Sequence, residues 1–226
     1  MSRAELDWLL PLGTWASPAY PIGAFSYSHG LEWAVEAGLV TDVASLADYV
    51  ATVVEAGAGW ADLVLVGQSW RAAEAGNADG FEEVRELAAA LRGTAETALE
   101  TMQQGASFVL ATRAAWPGTK LDQLADDRPM AYPVAFGTAA AGLIPLDATL
   151  LGFAQAVAAN LVSAGVRLVP LGQTDGQRAL ARLAPVLART AARAEAATLD
   201  DIGTAAPMID LFSMRHETQY TRLFRS

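Results

Sequence analysis

The residues best suited to chemistry lie close together near the N-terminus, in the stretch 17-SPAYPIGAFSYSHGLEWAVEAG-38. It contains Ser26, Ser28 and His29, and the only other histidine of the chain is His216. A serine beside a histidine could form a nucleophile and its base, and histidines could bind a metal ion. The aromatic residues of the same stretch would equally suit a docking surface. The sequence therefore raises three alternatives: an active site, a metal site and a docking surface.

Catalysis by Ser26 and His29 lacks the sequence context that usually accompanies it. The segment 23-GAFSY-27 misses the second glycine of the G-x-S-x-G turn that exposes a nucleophilic serine. Ser28 directly precedes His29, and neighbouring side chains on a helix point about 100° apart. The chain has no cysteine, so a thiolate nucleophile is excluded. We therefore predict that the chain is not an enzyme, and the alternative is a metal-dependent hydrolase that uses Ser26 and His29.

A tightly bound transition metal would need more nitrogen or sulfur ligands than the sequence offers. The chain has two histidines and no cysteine, and 216-HETQY-220 lacks the second histidine of an H-E-x-x-H motif. We predict that this chain alone binds no cofactor. His29 and His216 are the weak candidates for a metal contact.

The sequence also argues against binding of nucleotides and nucleic acids. The segment 172-GQTDGQ-177 lacks the G-K-[ST] ending of a phosphate loop, and no G-x-G-x-x-G occurs. Residues 1–113 carry 15 acidic and 5 basic side chains, and residues 114–226 carry 10 of each. A chain with a net charge of −10 lacks the basic footprint that nucleic acids require.

The hydrophobic periodicity predicts an all-α fold, a single-domain bundle of about eight to ten helices that spans residues 1–226. No alternating strand pattern extends beyond four or five residues. A polar connection is expected at 119–132 and a less regular tail at 198–226. The helices are predicted at about 5–15, 28–37, 42–55, 60–75, 81–92, 95–115, 133–143, 147–164 and 175–196.

Residues 148–166 contain no charged side chain over 19 positions, which is long enough to span a membrane. The run is rich in alanine and glycine and contains amides, so we interpret it as a buried core helix. The N-terminal residues lack the order of a signal peptide, and the cytoplasm is therefore the expected location.

One predicted helix, 175–196, has an arginine stripe opposite its apolar face. On a helical wheel its four arginines fall within about 60° of one another. Such a stripe is either solvated or faces negative charge, from a partner or from the acidic half of this chain. The stripe consists of Arg178, Arg182, Arg189 and Arg193.

Two segments are candidates for docking. In the N-terminal stretch, prolines and aromatic residues shape a surface that is either a docking surface or a structural bend. The tail 207–226 is apolar enough that it must pack on something, either its own domain or a partner. The N-terminal candidates are Pro21, Gly23, Phe25, Tyr27 and Ser28.

Four ordered motifs together resemble the urease accessory protein family UreF, and the resemblance covers essentially the whole chain. They are 17-SPAYPIGAFSYSHGLE-32, 132-YPVAFG-137, 167-RLVPLGQTDGQ-177 and 213-SMRHETQYTRLFRS-226. The resemblance implies an all-α homodimer without catalysis of its own. It implies that the chain joins a UreD/UreH-type partner and the GTPase UreG to promote nickel insertion into apo-urease. Nickel and GTP are then handled by the complex.

The resemblance also implies roles for individual residues. Glu32, Arg167 and Gln173 match positions expected to contact UreG. The tail is expected to order against the UreD/UreH-type partner, and His29 or His216 could line a route for nickel. The expected partner contacts in the tail are Arg215, His216, Tyr220, Arg222, Leu223 and Phe224.

Overall fold

A computed structural model describes residues 6–226 of the chain. In this range the regular structure consists of eleven α-helices and two short 3₁₀ turns, without a β-strand, so the prediction of an all-α fold is confirmed. The start of the first predicted helix, at residue 5, lies outside the described residues. The helices are α1 (Leu9–Trp15), α2 (Leu31–Glu36), α3 (Val43–Ala56), α4 (Ala58–Glu74), α5 (Ala78–Ala90), α6 (Ala95–Ala115), α7 (Leu121–Leu124), α8 (Tyr132–Ala140), α9 (Leu146–Leu168), α10 (Gln173–Glu195) and α11 (Pro207–His216).

The helix count exceeds the predicted eight to ten because two helices arise where irregular structure was expected. The four-residue α7 lies inside the predicted polar connection at 119–132. The tail 198–226 contains a 3₁₀ turn at Leu199–Asp201 and α11, followed by irregular chain from 217. Pro207 occupies the first turn of α11, where its missing N–H costs no helical hydrogen bond.

The core is organised around α8, whose nine residues are all buried. It is uncharged and contains small residues, so α4, α6 and α9 approach it closely. Gly105 of α6 lies against the carbonyl oxygen of Met130, and Gly137 of α8 lies against Ser69 and Val66 of α4. Aromatic rings complete the centre, where Phe136 of α8 contacts both Phe108 of α6 and Phe153 of α9.

The uncharged run 148–166 lies within α9 and is a core helix, as interpreted from the sequence. α9 is long and apolar enough to cross a membrane, but it packs against α3, α4 and α10. Leu150, Phe153 and Leu161 are among its buried residues. Burial against other helices of the same chain accounts for its apolar composition.

The arginine stripe of α10 faces the acidic α3 of the same chain. Arg182 pairs with Asp48 at 3.0 Å and Arg189 pairs with Glu55 at 2.8 Å. These exposed pairs contribute only about 0.2–1 kcal/mol each, but they remove the repulsion along the stripe. The remaining two arginines are also engaged: Arg178 pairs with Asp175, and Arg193 bonds the carbonyl of Glu55 and lies over the ring of Trp60.

Close packing at Gly105 yields a prediction. A Cβ atom at this position would overlap the carbonyl oxygen of Met130, which belongs to the backbone and cannot move aside freely. We expect Gly105→Ala to lower the free energy of unfolding by about 1–3 kcal/mol, although alanine is the better helix former. Gly13→Ala in α1 is the matched control, because nothing lies within 4 Å of its Cβ position. Urea unfolding measures both, and equal effects would contradict this packing.

Candidate functional site

The N-terminal stretch turns sharply because four of its residues adopt positive φ angles. These are Gly23 at 75°, His29 at 57°, Gly30 at 78° and Gly38 at 72°. A Cβ atom at Gly30 would lie 2.7 Å from the backbone nitrogen of Ser213, so α11 passes directly against the start of α2. This close approach places Glu32, in the first turn of α2, beneath the C-terminal tail.

The carboxylate of Glu32 is buried and holds the tail by three hydrogen bonds. Its residue is only 7% exposed. The backbone N–H of Leu223 donates to Oε1 at 2.7 Å, and the N–H of Phe224 donates to Oε2 at 2.9 Å. Nε2 of His216 lies 3.1 Å from Oε2. A buried carboxylate is stable only when such donors replace its lost hydration, so Glu32 and the tail depend on each other.

His216 lies between two carboxylates and is itself fully buried. Its Nε2 faces Glu32, and its Nδ1 faces Oε2 of Glu96 at 2.7 Å. A carboxylate only accepts, so both contacts are hydrogen bonds when both ring nitrogens carry protons. Arg222 bonds the other oxygen of Glu96 at 2.9 Å, so an imidazole and a guanidinium lie against the two carboxyl groups. We call Glu32, Glu96, His216 and Arg222, with the amides of Leu223 and Phe224, the tail anchor.

The last residues of the tail pair with the N-terminal stretch. The N–H and hydroxyl of Ser28 both donate to the carbonyl oxygen of Ser226, the N–H at 2.7 Å. The N–H of Arg225 donates to the carbonyl of Ser26 at 2.8 Å, and the hydroxyl of Ser226 donates to Glu100 at 2.8 Å. Of the two alternatives for the tail, this conformation shows packing on its own domain.

Arg167 joins the end of α9 to both the N-terminal stretch and the tail. Its Nη2 donates to the carbonyl of Phe25 at 2.8 Å, and its guanidinium lies 4.4 Å from the ring centre of Phe224. Partial burial lowers the pKa of Arg167, but an arginine stays charged under ordinary conditions. The side chain therefore presents a fixed positive charge at the edge of the tail.

A small cavity of about 60 Å³ lies between the N-terminal stretch and α6. Its lining combines the polar side chains of His29, Asp62, Arg92, Glu100 and Tyr132 with apolar residues of α3 and α9. Among the described residues, the Tyr132 hydroxyl and Nε of Arg92 have no hydrogen-bond partner. A polar cavity of this size can hold ordered water, which would satisfy such groups.

The two carboxyl groups of this cavity differ in their pKa. Burial raises the pKa of Asp62, and the neighbouring Arg92 only partly offsets that effect. Burial acts in the same direction on Glu100, but His29, Ser226 and Arg92 outweigh it, so the pKa of Glu100 is lowered. Nδ1 of His29 lies 3.7 Å from Oε2 of Glu100. Glu100 is thus the better stabilised anion of the two.

Comparison of the sequence with known proteins identifies the family of this chain. A family model for UreF matches residues 40–184. The curated urease accessory protein UreF of Granulibacter bethesdensis is 55% identical over 221 residues, which cover 96% of this chain and 94% of that protein. The UreF protein of Bradyrhizobium diazoefficiens is 51% identical over 229 residues, with 100% and 95% covered.

The chain belongs to the UreF family of urease accessory proteins. The two full-length relatives extend the match beyond the family model, which begins after α2 and ends within α10. The N-terminal stretch and the tail, which form most of the tail anchor, are therefore part of the similarity to UreF proteins. The resemblance identified from the four motifs is confirmed.

The residues predicted to contact UreG lie in different environments. Arg167 and Gln173 are exposed, at the end of α9 and the start of α10. Glu32 is buried and bonded to the tail, so it offers no free surface in this conformation. Its contact with UreG stays a prediction, and the structure gives it a second task, which is to hold the tail.

The residues predicted to contact the UreD/UreH-type partner divide in the same way. Arg215, Tyr220, Arg222 and Leu223 are exposed. His216 and Phe224 point inward and are buried. The four exposed side chains share the outer surface of the tail, whereas the two buried ones fix its position from within.

The N-terminal docking candidates also separate into exposed and buried residues. Phe25 is exposed at 68%, and Pro21 is also exposed. Tyr27 and Ser28 are buried: the Tyr27 hydroxyl donates to Gln103 and that of Ser28 to Ser226. Gly23 supplies the left-handed backbone that precedes the 3₁₀ turn at Ala24–Ser26. Phe25 is therefore the one aromatic of this group that projects outward.

The two histidines do not converge. The two ring nitrogens of His216 contact Glu32 and Glu96, whereas the ring of His29 faces Glu100. Across residues 6–226 no group of three or more His, Asp or Glu side chains has a geometry that could hold a metal ion. Within the same range no hydrogen bond joins Ser26 to His29.

The sequence analysis does not identify the face of α6 that completes the site. Glu96 and Glu100 lie four residues apart on α6 and meet His216, Ser226 and the cavity. In sequence such a pair is typical of a solvated helix face. The one sequence feature that could have indicated their role is the spacing of two acidic residues at i and i+4, which is unfavourable unless cations or hydrogen-bond donors lie nearby.

The tail anchor yields a prediction for Glu32→Gln. The amide retains one acceptor, but its NH₂ group would face either the His216 ring N–H or a tail amide, donor against donor. We expect a loss of about 3 kcal/mol in the free energy of unfolding, because a buried donor would lose its carboxylate acceptor and be left unpaired. Glu36→Gln, one turn later on α2 and exposed, is the control and should cost under about 1 kcal/mol. Comparable losses in urea would show that Glu32 holds nothing.

The lowered pKa of Glu100 yields a prediction about acid stability. Below its ordinary value of 4.5, the unfolded chain binds more protons at this residue than the folded chain. Its contribution is therefore present above that pH and lost as the pH falls through the lowered value. The difference in unfolding free energy between wild type and Glu100→Gln should shrink from about pH 6 to about pH 3. The exposed Glu83→Gln serves as the control, and a wild-type advantage that grows on acidification would contradict the prediction.

Proposed function

We propose that this chain is a non-catalytic adaptor in urease maturation. It joins a UreD/UreH-type accessory protein to the GTPase UreG, and the assembly inserts nickel into apo-urease. UreG supplies the nucleotide site, nickel is the cargo of the complex, and this chain alone holds no cofactor. The adaptor acts in the cytoplasm as a homodimer.

The observation that carries this proposal is the convergence of the four motifs at one place. Glu32 of the first motif bonds the last, and Arg167 of the third contacts both Phe25 and Phe224. Tyr132, which opens the second motif, lines the cavity beside them. This convergence supports a shaped docking surface, which is how we interpret the similarity to UreF proteins.

The exposed residues of the site suggest how the partners divide it. The outer surface of the tail, with Arg215, Tyr220, Arg222 and Leu223, suits the UreD/UreH-type partner, since aromatic and arginine side chains dominate interface energies. Arg167 lies at the edge of the tail, where it would serve UreG together with Gln173. Glu32 then acts through the tail, because it holds the binding surface in place.

Co-purification tests the adaptor function. The chain is expressed with the UreD/UreH-type partner and UreG of the same source, and the products are separated by size exclusion with light scattering. We expect a stable complex with the partner, and recruitment of UreG only when this chain is present. A chain that binds neither protein, or a preparation with its own GTP hydrolysis, would overturn the proposal.

Variants of exposed residues localise the two contacts. We expect the double variant Tyr220→Ala, Leu223→Ala to weaken the partner complex at least tenfold, as is usual for interface hot spots, with unchanged folding. Leu110→Ala, an equally exposed leucine on α6, is the control. For UreG we expect Gln173→Ala and Arg167→Glu to weaken recruitment while the partner complex persists. Normal binding by every variant would place both contacts elsewhere.

A further inference from the structure

The sulfur atoms of this chain are all thioethers, and their exposure to solvent differs sharply. The chain has five methionines and no cysteine, and Met1 lies outside the described residues. Of the other four, Met130 is 2% exposed and Met102 is partly buried, whereas Met208 is 54% exposed and Met214 is 48% exposed. A thioether is oxidised only when the oxidant reaches it, so susceptibility follows exposure. Within the described range, an oxidant in solution therefore meets two methionines first, and both belong to α11.

These two methionines lie on the outer side of α11, while its inner side holds the helix in place. On a helical wheel, Met208, Leu211 and Met214 fall within about 120° of one another. We call these three residues the outer strip. Phe212 lies on the opposite side, is buried, and stacks its ring on that of Trp33 at 5.1 Å. A chemical change at the sulfur atoms of the outer strip therefore leaves the packing of α11 intact.

The outer strip continues the surface that we assign to the UreD/UreH-type partner. Leu211, between the two methionines, is 38% exposed, and the exposed Arg215 follows on the same side of the helix. Arg215 is one of the proposed contacts of that partner. Methionines adapt their shape to an apposed surface, and they are common where proteins dock. This inference rests on the proposed function, because it takes the UreD/UreH-type partner as the protein that covers the strip.

We propose that Met208 and Met214 form a reversible oxidation site that controls docking of the UreD/UreH-type partner. The oxidant is a peroxide, and hydrogen peroxide is the simplest one. The sulfur lone pair attacks one oxygen of hydrogen peroxide, the O–O bond breaks, and the hydroxide that leaves takes the proton of the transferred oxygen to become water. The thioether loses two electrons and becomes a sulfoxide, and the peroxide gains those two electrons.

The sulfoxide changes what the outer strip offers to a partner. An apolar, flexible side chain becomes a polar one, and its new oxygen accepts hydrogen bonds. When a partner covers that oxygen without providing a donor, an acceptor is buried unpaired, which weakens the complex. Methionine sulfoxide reductases remove the oxygen as water, with electrons from a dithiol, so docking recovers when the oxidant is gone.

Peptide mapping by mass spectrometry tests the site in the isolated chain. We expect Met208 and Met214 each to gain one oxygen at least about tenfold faster than Met130 in dilute hydrogen peroxide. Circular dichroism should stay unchanged, because the inner side of α11 contains no methionine. Oxidation of Met130 as fast as the α11 pair, or a loss of helix during treatment, would overturn the site.

Binding of the treated chain to the UreD/UreH-type partner tests the control. Catalase removes the peroxide before the partner is added, so only this chain is oxidised. We expect treatment to weaken the wild-type complex about tenfold, and sulfoxide reductase to restore it. The double variant Met208→Leu, Met214→Leu conserves the volume and apolar character of the strip, so it should bind equally before and after treatment. Met102→Leu is the matched control, and its complex should weaken as that of wild type does.

The outcomes separate this inference from the proposed function. An equal loss of binding in the double variant and in wild type would overturn the control, because the damage would then lie elsewhere. A treated wild-type chain that binds as tightly as the untreated one would overturn it as well. An untreated chain that binds no partner would overturn the proposed function together with the control, whereas the peptide map decides the oxidation site without any partner.

Discussion

The arrangement of this protein depends on one buried carboxylate. Glu32 lies 184 residues before His216, yet its two oxygens accept from the His216 ring and from the Leu223 and Phe224 amides. Without those donors a charge would be buried unpaired, and without the charge three tail donors would lose their acceptor. The ends of the chain are thereby joined, and every surface that we assign to partners is built on that junction.

The left-handed conformation of His29 makes this junction possible. A non-glycine residue rarely adopts a positive φ, and here it precedes Gly30, which has one too. The paired turn brings α2 under α11, whose backbone leaves no space for a side chain at Gly30. The strain is offset by the contacts it permits, because the His29 carbonyl accepts from Tyr49 and its ring meets Glu100.

Much of the fold follows from local sequence, and the predicted helices match the long elements closely. α6 was expected at about 95–115 and is observed at Ala95–Ala115, because a capping threonine and a tryptophan-proline pair bound it. α7 was missed because four residues carry no periodic signal. α11 was missed although Pro207, at its first turn, is a typical start signal for a helix. The sequence analysis considers its apolar residues only as a surface that packs on this domain or on a partner, not as a helix.

The candidate site could not be predicted in the same way, because its contacts connect residues far apart in sequence. The motifs pointed to Glu32, His216 and Phe224 individually, but nothing local indicates that they touch one another. Glu96 and Glu100 had the appearance of a solvated helix face until the tail supplied their donors. For the arginine stripe of α10 the sequence leaves solvent, a partner and the acidic half of this chain as alternatives, and in the structure two of its arginines pair with α3.

Amide hydrogen exchange on the isolated chain tests the central claim, that Glu32 holds the tail against its own domain. Within the described residues, the amides of Leu223 and Phe224 donate to Glu32, whereas those of Thr221 and Arg222 make no hydrogen bond. The account predicts slow exchange at Leu223 and Phe224, comparable with α11, beside fast exchange at Thr221 and Arg222. Equally fast exchange at all four amides would contradict it, because the tail would then be free until a partner arrives.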